Sequence, residues 1–135
     1  MEKCIFCEIL AGRVPSFKVA EDERCIAILD KYPSIRGQVL VISKKHHPQG
    51  FSEMGEQVAV DLITSAEKIA GKIRHALNLT EVTFTIEGLD VKHAHGKIFP
   101  VKSREEYVRD IKLPGQPAED KELEAIAYKI RGEGS

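Results

Sequence analysis

One stretch decides how this chain folds and where its chemistry lies, namely Val91-Lys92-His93-Ala94-His95-Gly96-Lys97-Ile98-Phe99-Pro100. Basic side chains recur here at every second residue within an otherwise apolar segment. Because the side chains of a β-strand alternate between two faces, the pattern places His93, His95 and Lys97 in one row, with neighbours roughly 6.6 Å apart. The residues between them then face the other way, into a core. The stretch therefore predicts a cationic row on a rigid strand, which suits the binding of a phosphate group.

The rest of the chain supplies short strands and one long helix. The helix is predicted at 55–77, where apolar residues recur at spacings of three and four. Its predicted inward stripe consists of Val58, Leu62, Ala66, Ile69, Ile73 and Leu77. Besides the basic stretch, strands are predicted at 17–20, 25–30, 38–43 and 82–86. Short helices are predicted at 4–10, after the capping box at 103–106, and at 119–130, with a loop at 113–117. The pattern indicates an α+β fold whose sheet is covered on one face.

Length and composition predict a single domain over residues 1–135, with 42% apolar and 30% charged residues. Because 20 Lys and Arg balance 21 Asp and Glu, the formal net charge is only -1, and no global basic field exists to recruit nucleic acid. The longest apolar runs are far shorter than a membrane span, and the N-terminus opens no signal peptide. We therefore expect an intracellular, cytoplasmic protein, with a nuclear location left open. Its three cysteines are expected to be reduced.

The basic stretch and three upstream segments together resemble the histidine triad (HIT) family, whose signature alternates histidines with apolar residues and often ends in proline. The upstream segments, in the family's order, are Cys4-Ile5-Phe6-Cys7-Glu8-Ile9, Ile28-Leu29-Asp30 and residues 37–46. The resemblance covers about residues 3–101 and leaves 102–135 as a C-terminal extension. It implies a HIT-like fold with a five-stranded antiparallel sheet, one long helix and short terminal helices. It also implies a two-fold homodimer that joins two sheets.

The resemblance further implies binding of a purine nucleotide or nucleotide conjugate and a two-step displacement at its α-phosphorus. His95 occupies the position of the family's nucleophile, and neutral imidazole is a good nucleophile near pH 7. It would form a covalent nucleotidyl-histidine that water or another acceptor resolves. Asp30 matches the carboxylate that holds the ribose hydroxyls in the family, and its two acceptor oxygens suit a vicinal diol.

Three features depart from the family pattern. Lys97 replaces the third histidine; with a free pKa near 10.4, lysine is a steady positive charge that shuttles protons only when desolvated. A family branch with glutamine at this place transfers nucleotides, so hydrolysis and transfer both stay open. The loop Glu87-Gly88-Leu89-Asp90 is shorter than in many relatives. Gly88 and Asp90 are its predicted substrate-binding residues, and Asp90 brings negative charge near the phosphate. Gly96 replaces an apolar residue and is expected to loosen the strand by roughly 0.5–1 kcal/mol.

A second set of residues has the chemistry of a metal site. Some relatives bind zinc with residues that correspond to Cys4, Cys7, His46 and His93, and a Cys2His2 set suits tetrahedral zinc. Such an ion would be structural and would leave His95 as the free imidazole of the row. A pair of buried thiols without metal is the alternative. A thioredoxin-like redox pair is disfavoured because no strand precedes Cys4.

The leading prediction is a HIT-like hydrolase or nucleotidyltransferase acting on a nucleoside phosphoramidate, dinucleotide or adenylate. The alternative is a non-catalytic nucleotide-binding or protein-interaction module with a degenerate triad, which Lys97, Gly96 and the short loop favour. A zinc-stapled nucleic-acid-binding module is a third class; the balanced charge and the aromatic content of 6% argue against it.

Overall fold

The computed structural model describes residues 3–110 and 116–133, which form a five-stranded antiparallel sheet with helices on both faces. The strands are β1 (Lys18–Glu21), β2 (Cys25–Leu29), β3 (Val39–Ser43), β4 (Thr83–Thr85) and β5 (His95–Phe99), in the spatial order β1-β2-β3-β5-β4. The helices are α1 (Ile5–Leu10), α2 (Glu56–Ala76), α3 (Arg104–Asp110) and α4 (Asp120–Arg131), with a short 3-10 helix at Phe51–Glu53. The predicted α+β class is confirmed, whereas most of the predicted loop at 113–117 lies outside the described residues.

The long helix α2 packs the main core against one face of the sheet. Its buried residues are Leu62, Ser65, Ala66, Ile69 and Ile73. The predicted stripe is therefore confirmed over its centre, while its two end residues are only half-buried. The strand residues in the same core are Val19, Cys25, Ala27, Leu29, Val39, Val41 and Ile98, and Ala94, just before β5, joins them. None of the helices within 3–110 and 116–133 has the length and apolar character that a membrane crossing requires.

The C-terminal helix α4 packs on this same face. Its buried residues are Leu123, Ile126, Ala127 and Ile130, as predicted, and all four belong to the main core. Just before the helix, the carbonyl oxygen of Ala118 accepts a hydrogen bond from Lys31 Nζ at 2.9 Å, and Asp120 pairs with the same ammonium at 2.6 Å. The helix α4 is thus joined to its own chain on the side of the sheet away from His95.

The other face of the sheet is covered by α1. Here the apolar cluster consists of Phe6, Ile26, Ile28, Leu40 and Ile42. The prediction that helices cover only one face was wrong, because α1 brings Phe6 onto this second face. At the far end of β5, Tyr107 of α3 packs edge-on against Phe99, with ring centroids 6.5 Å apart.

The strand β5 begins at His95, later than the predicted basic strand. Its ladder with β3 pairs His95 with Ile42 and Lys97 with Leu40. The regular ladder stops here because the amide of Ala94 donates instead to the carbonyl oxygen of His47, at 2.8 Å. The prediction that all three residues lie on one strand is therefore wrong for His93, which lies before the strand, although its ring packs against Phe6 of α1 as the His95 ring does.

Gly96 leaves room for an aromatic ring. A Cβ atom at this position would overlap the ring of Phe84, which β4 places beside Gly96 on the α2 face. The Phe84 ring occupies the space that an apolar side chain at position 96 would otherwise fill. The glycine is therefore a packing requirement of the sheet as well as a local weakening of the strand.

Candidate active site

His95 and Lys97 lie on the α1 face of the sheet. Their partners across the ladder, Ile42 and Leu40, belong to the apolar cluster under α1. Ala94 and Ile98, which alternate with them, belong to the main core on the opposite face. The predicted alternation is confirmed for this part of the stretch.

The His95 ring is held in one tautomer. Its Nδ1 lies 2.7 Å from the backbone carbonyl oxygen of His93. Because a carbonyl oxygen only accepts, Nδ1 carries the proton and donates it, and the neutral ring keeps a free lone pair on Nε2. Burial lowers the pKa of His95 below its ordinary value, against the opposing effect of this hydrogen bond, and the positive charge of Lys97 lowers it further. The arrangement therefore presents a neutral imidazole with Nε2 as the nucleophilic atom.

Phe6 covers the His95 ring. The two ring centroids are 4.9 Å apart at an interplanar angle of 71°, and His95 is only 4% exposed. The surface has grooves of about 400 Å³ and about 590 Å³, but neither of these two is lined by Asp30, His95 or Lys97. The His95 ring is thus largely shielded from solvent, and Phe6 of α1 forms part of its cover.

The ammonium of Lys97 lies between two carboxylates. Its Nζ is 3.6 Å from Glu87 Oε1 and 3.7 Å from Asp90 Oδ2, and the lysine side chain is 19% exposed. The negative charge expected from Asp90 is therefore beside the row. Glu87 was missed by the sequence analysis, because nothing in the sequence of the β4–β5 connection shows which way its side chain points.

Gly88 lies where two loops cross. Its φ is +74°, and a Cβ atom here would lie 2.7 Å from the Cα of Gly50, in the loop after β3. A side chain is thus excluded, and the close backbone contact positions the loop that carries Glu87 and Asp90. A contact of Gly88 with substrate stays a prediction.

Asp30 is oriented by two hydrogen bonds. The side-chain amide of Gln38 donates to its Oδ2 at 2.7 Å, and the backbone amide of Tyr32 donates to its Oδ1 at 2.8 Å. Gln38 is 2% exposed, and its own Oε1 accepts from the amide of Ser34 at 2.8 Å. Gln38 was also missed, although its even spacing with Leu40 in the strand pattern places it on the α1 face.

Four potential metal ligands converge at the end of α1, namely Cys4, Cys7, His46 and His93, whose ligand atoms all lie within 4.8 Å of one another. His93 Nδ1 lies 3.2 Å from Cys4 Sγ, 3.6 Å from Cys7 Sγ and 3.1 Å from His46 Nδ1. Cys7 Sγ lies 3.4 Å from His46 Nδ1. Tetrahedral zinc with ordinary bond lengths has ligand-to-ligand distances of roughly 3.3–3.8 Å. The donor set therefore fits a zinc ion in kind, and the four distances of 3.1–3.6 Å lie near this range.

The protonation states in this cluster also suit a metal. His93 Nε2 donates to the carbonyl oxygen of Ser43 at 2.7 Å, so the Nδ1 lone pair faces the other three ligands. Burial lowers the pKa of His93, outweighing the Ser43 carbonyl, and keeps the ring neutral. Cys4 is the N-cap of α1, and its sulfur accepts the amide of Cys7 at 3.4 Å. Burial and the neighbouring Cys4 raise the pKa of Cys7, so metal binding should release a proton from this thiol.

Comparison with known proteins gives relatives of known activity. The adenosine 5'-monophosphoramidase hnt1 of Schizosaccharomyces pombe is 31% identical over 128 residues, covering 94% of this chain and 95% of the relative. The adenylylsulfatase HINT3 of Arabidopsis thaliana is 32% identical over 107 residues, covering 76% of this chain and 54% of the relative. Their activities are those of nucleotide hydrolases and support that function at the level of the family.

A solved structure and a sequence family that match this chain agree with these relatives. A Zn-bound histidine triad family protein from Mycobacterium smegmatis has the same fold, with a TM-score of 0.78 and 24% identity over 96% of this chain and 91% of that one. The HIT domain family matches residues 11–103. This chain belongs to the HIT domain family.

Proposed function

We propose that the protein is a hydrolase or nucleotidyltransferase that acts at the α-phosphorus of a purine nucleoside phosphoramidate, dinucleotide or adenylate. The observation that carries the proposal is the locked tautomer of His95, which leaves the Nε2 lone pair free on the face that also carries Lys97. Membership of the HIT family supports a nucleotide as the ligand.

In the proposed first step, Nε2 of His95 bonds to the α-phosphorus while the bond from phosphorus to the leaving group breaks. A departing amine takes one proton from solvent, whereas sulfate or phosphate departs as an anion. The imidazole becomes cationic, and the His93 carbonyl oxygen that accepts from Nδ1 stabilises this charge. In the second step water bonds to phosphorus, the bond to Nε2 breaks, and one proton passes to solvent. Another nucleophile in place of water gives transfer.

Lys97 is proposed to hold the non-bridging oxygens of the phosphate. Its ammonium already has Glu87 and Asp90 nearby, so the phosphate competes with two carboxylates for this charge. Gly88 and Asp90 are proposed to lie beside the bound substrate, because their loop carries both of these carboxylates.

Asp30 is proposed to accept hydrogen bonds from the ribose hydroxyls. Gln38 and the Tyr32 amide use one acceptor position on each oxygen and fix the plane of the carboxylate. Each oxygen keeps a further lone pair for a hydroxyl donor. The support for this role is a prealigned carboxylate at the end of β2.

We further propose that Cys4, Cys7, His46 and His93 hold a structural zinc ion, supported by the convergence of their ligand atoms. Through these four residues a bound zinc ion would join α1 to the loop after β3 and to the segment just before β5. The side chains of His95, Lys97 and Asp30 carry the proposed reaction. Cys4 and Cys7 must be reduced to hold zinc, and the cytoplasm keeps thiols reduced. This requirement supports the proposed cytoplasmic location.

A two-fold homodimer is also proposed. The strand β4 is terminal in the described sheet, so its outer side is available for pairing with another strand. Light scattering behind a sizing column should give twice the chain mass of 15.1 kDa. A mass equal to one chain at micromolar concentration would contradict the dimer.

Incubation with adenosine 5'-phosphoramidate tests the proposed reaction. Wild type and His75→Gln, a control on α2, should release AMP and show a transient adenylyl adduct by intact-mass spectrometry. His95→Gln should show neither, because it lacks the attacking atom, while its circular dichroism spectrum stays native. Equal AMP release by wild type and His95→Gln would overturn the proposal.

Two observations favour the non-catalytic alternative. His95 is 4% exposed, and Lys97 has carboxylates on two sides before any phosphate arrives. A nucleotide-binding module predicts heat on titration with AMP or GMP but no adduct and no turnover of any conjugate. The mass-spectrometric experiment therefore separates the two functions.

A further inference from the structure

The charge beside the proposed nucleophile is negative overall. Lys97 contributes one positive charge, and Glu87 and Asp90 contribute two negative charges within 4 Å of it. Before a nucleotide binds, these three side chains therefore carry a net charge of about -1.

Exposure increases from the nucleophile towards the two carboxylates. His95 is 4% exposed and the side chain of Lys97 is 19% exposed. The side chains of Glu87 and Asp90 are 30% and 69% exposed. In a displacement at phosphorus the leaving group lies opposite the attacking atom, so it departs away from the buried His95. The carboxylates of Glu87 and Asp90, the exposed acidic rim, lie within 4 Å of the Lys97 ammonium that is proposed to hold the same phosphate.

The bound phosphate makes the charge balance more negative. A phosphodiester-like α-phosphate adds one negative charge, so the site with phosphate has a net charge of about -2. An anionic leaving group brings further negative charge to the rim, whereas an ammonium group restores part of the balance. Part of the rim is solvent-exposed, so the effect is moderate and depends on salt.

We propose that Glu87 and Asp90 are specificity-determining residues that select a positively charged leaving group and disfavour an anionic one. The favoured substrate class is a nucleoside phosphoramidate whose amine bears a second, cationic amino group. This inference rests on the proposed function, because it concerns the leaving group of that reaction. The bond between phosphorus and nitrogen breaks as Nε2 of His95 bonds to phosphorus, and the amine nitrogen takes a proton from solvent.

Three matched substrates test the inference, namely adenosine 5'-phosphoramidates of 1,4-diaminobutane, butylamine and 4-aminobutyrate. They share a P–N bond to an alkyl chain and differ in the remote charge, which is +1, 0 and -1. For wild type at low salt, kcat/KM should fall in that order, by roughly three- to tenfold for each unit of charge. The spread should shrink when salt is raised, because exposed charges are screened.

Two variants and one control assign the effect to the two carboxylates. Glu87→Gln and Asp90→Asn should each compress the spread by raising kcat/KM for the anionic substrate relative to the cationic one. Glu67→Gln removes an acid from the exposed side of α2 and should keep the wild-type spread. A role confined to holding Lys97 in place would instead lower all three rates by the same factor.

The outcomes separate this inference from the proposed function. Equal kcat/KM for the three substrates, or a spread that both variants keep, overturns the charge selection and leaves the reaction standing. No turnover and no His95 adduct with any of the three overturns the proposed function itself. A wild-type preference for the cationic substrate that is lost in Glu87→Gln and Asp90→Asn supports the selection.

Discussion

The two faces of the sheet bury different chemistry. Under α2 and α4 the core is apolar, and Leu62, Ile73 and Ile98 are fully buried there. Under α1 the apolar cluster is smaller and lies next to Gln38, His93 and His95, three of the five buried polar residues in the described chain. The other two are Ser65, on α2, and Ser43, which shares a face of β3 with Val39 and Val41. The fold thus places its main hydrophobic stabilisation on one face and its two buried histidines on the other.

The difference shows how a small domain accommodates buried polar groups. A polar group buried without a partner costs about 1–3 kcal/mol, so each must find one. His93 and His95 bond to backbone carbonyls, and Gln38 bonds to Asp30 and to a backbone amide. We therefore expect substitutions under α2 to lower the free energy of unfolding without changing the reaction rate. Substitutions under α1 should change the reaction rate more than the stability.

The largest expected effect comes from removing metal from the α1 face. If zinc is present at about a thousand times its dissociation constant, its removal should lower the free energy of unfolding by about 4 kcal/mol. Hydrogen exchange should accelerate in α1 more than in α2, because Cys4 and Cys7 anchor only α1. Elemental analysis should give one zinc per chain, and Cys7→Ser should be less stable and insensitive to chelator. An unchanged melting temperature after chelation would contradict a structural role of zinc.

A truncation under α2 is expected to have the next largest effect. Ile73→Ala leaves a cavity in the main core and should cost about 3 kcal/mol in urea-induced unfolding. Rates per folded molecule should stay within about twofold of wild type, because Ile73 lies on the face away from His95. Ile63→Ala, on the same helix but 52% exposed, is the control and should cost less than about 0.5 kcal/mol. A loss of rate in Ile73→Ala without loss of folded protein would break the separation of the faces.

The contact between Gly96 and Phe84 gives a medium-sized effect. Gly96→Val should cost about 2 kcal/mol, because its side chain overlaps the Phe84 ring. Phe84→Ala makes room, so the double variant should be more stable than the sum of the single costs predicts, by at least about 1 kcal/mol. Additive costs in urea titrations would show that the two residues do not compete for this space.

The smallest effect concerns the buried polar link under α2. Asp22 accepts hydrogen bonds from Ser65 Oγ at 2.7 Å and from the amides of Cys25 and Arg24 at 2.8 Å. Burial raises the pKa of Asp22, but these hydrogen bonds outweigh it and hold the pKa below its usual range. A carboxylate with a depressed pKa in the folded state adds stability above about pH 4, and this is lost as the pH falls through the folded pKa.

Asp22→Asn tests that link. It should cost about 1 kcal/mol at pH 7, and its difference from wild type should shrink as the pH falls below about 4. Urea titrations across this range give the measurement, and Glu23→Gln, with an exposed side chain in the same turn, is the control. A cost that stays constant down to pH 2 would mean that the charge of Asp22 does not matter.

Much of the fold could be predicted because local patterns agree with tertiary packing. The apolar spacing of α2 and α4 gives the inward residues, and the alternation in β5 gives the faces of His95 and Lys97. The second covered face could not be predicted, because a six-residue helix has too few residues to show where it packs.

The reactive residues of the site could be predicted from the sequence, whereas the residues that contact them were harder to predict. Glu87 acts through a side-chain direction that depends on loop geometry, which a sequence pattern does not contain. The position of His93 before β5 depends on where the loop after β3 leaves the sheet. The need for glycine at position 96 depends on a ring from another strand. Each of these is a relation between distant segments.

The most direct test of the central claim is to locate the nucleotidyl group after a single turnover. The protein is mixed with adenosine 5'-phosphoramidate, and the reaction is quenched after one turnover. The protein is then digested with a protease at mildly alkaline pH, which preserves phosphohistidine-type bonds. The peptide that contains residues 91–100 is sequenced by tandem mass spectrometry. The account predicts adenylate on His95. Adenylate on Lys97, or AMP release with His95 never modified, would contradict it.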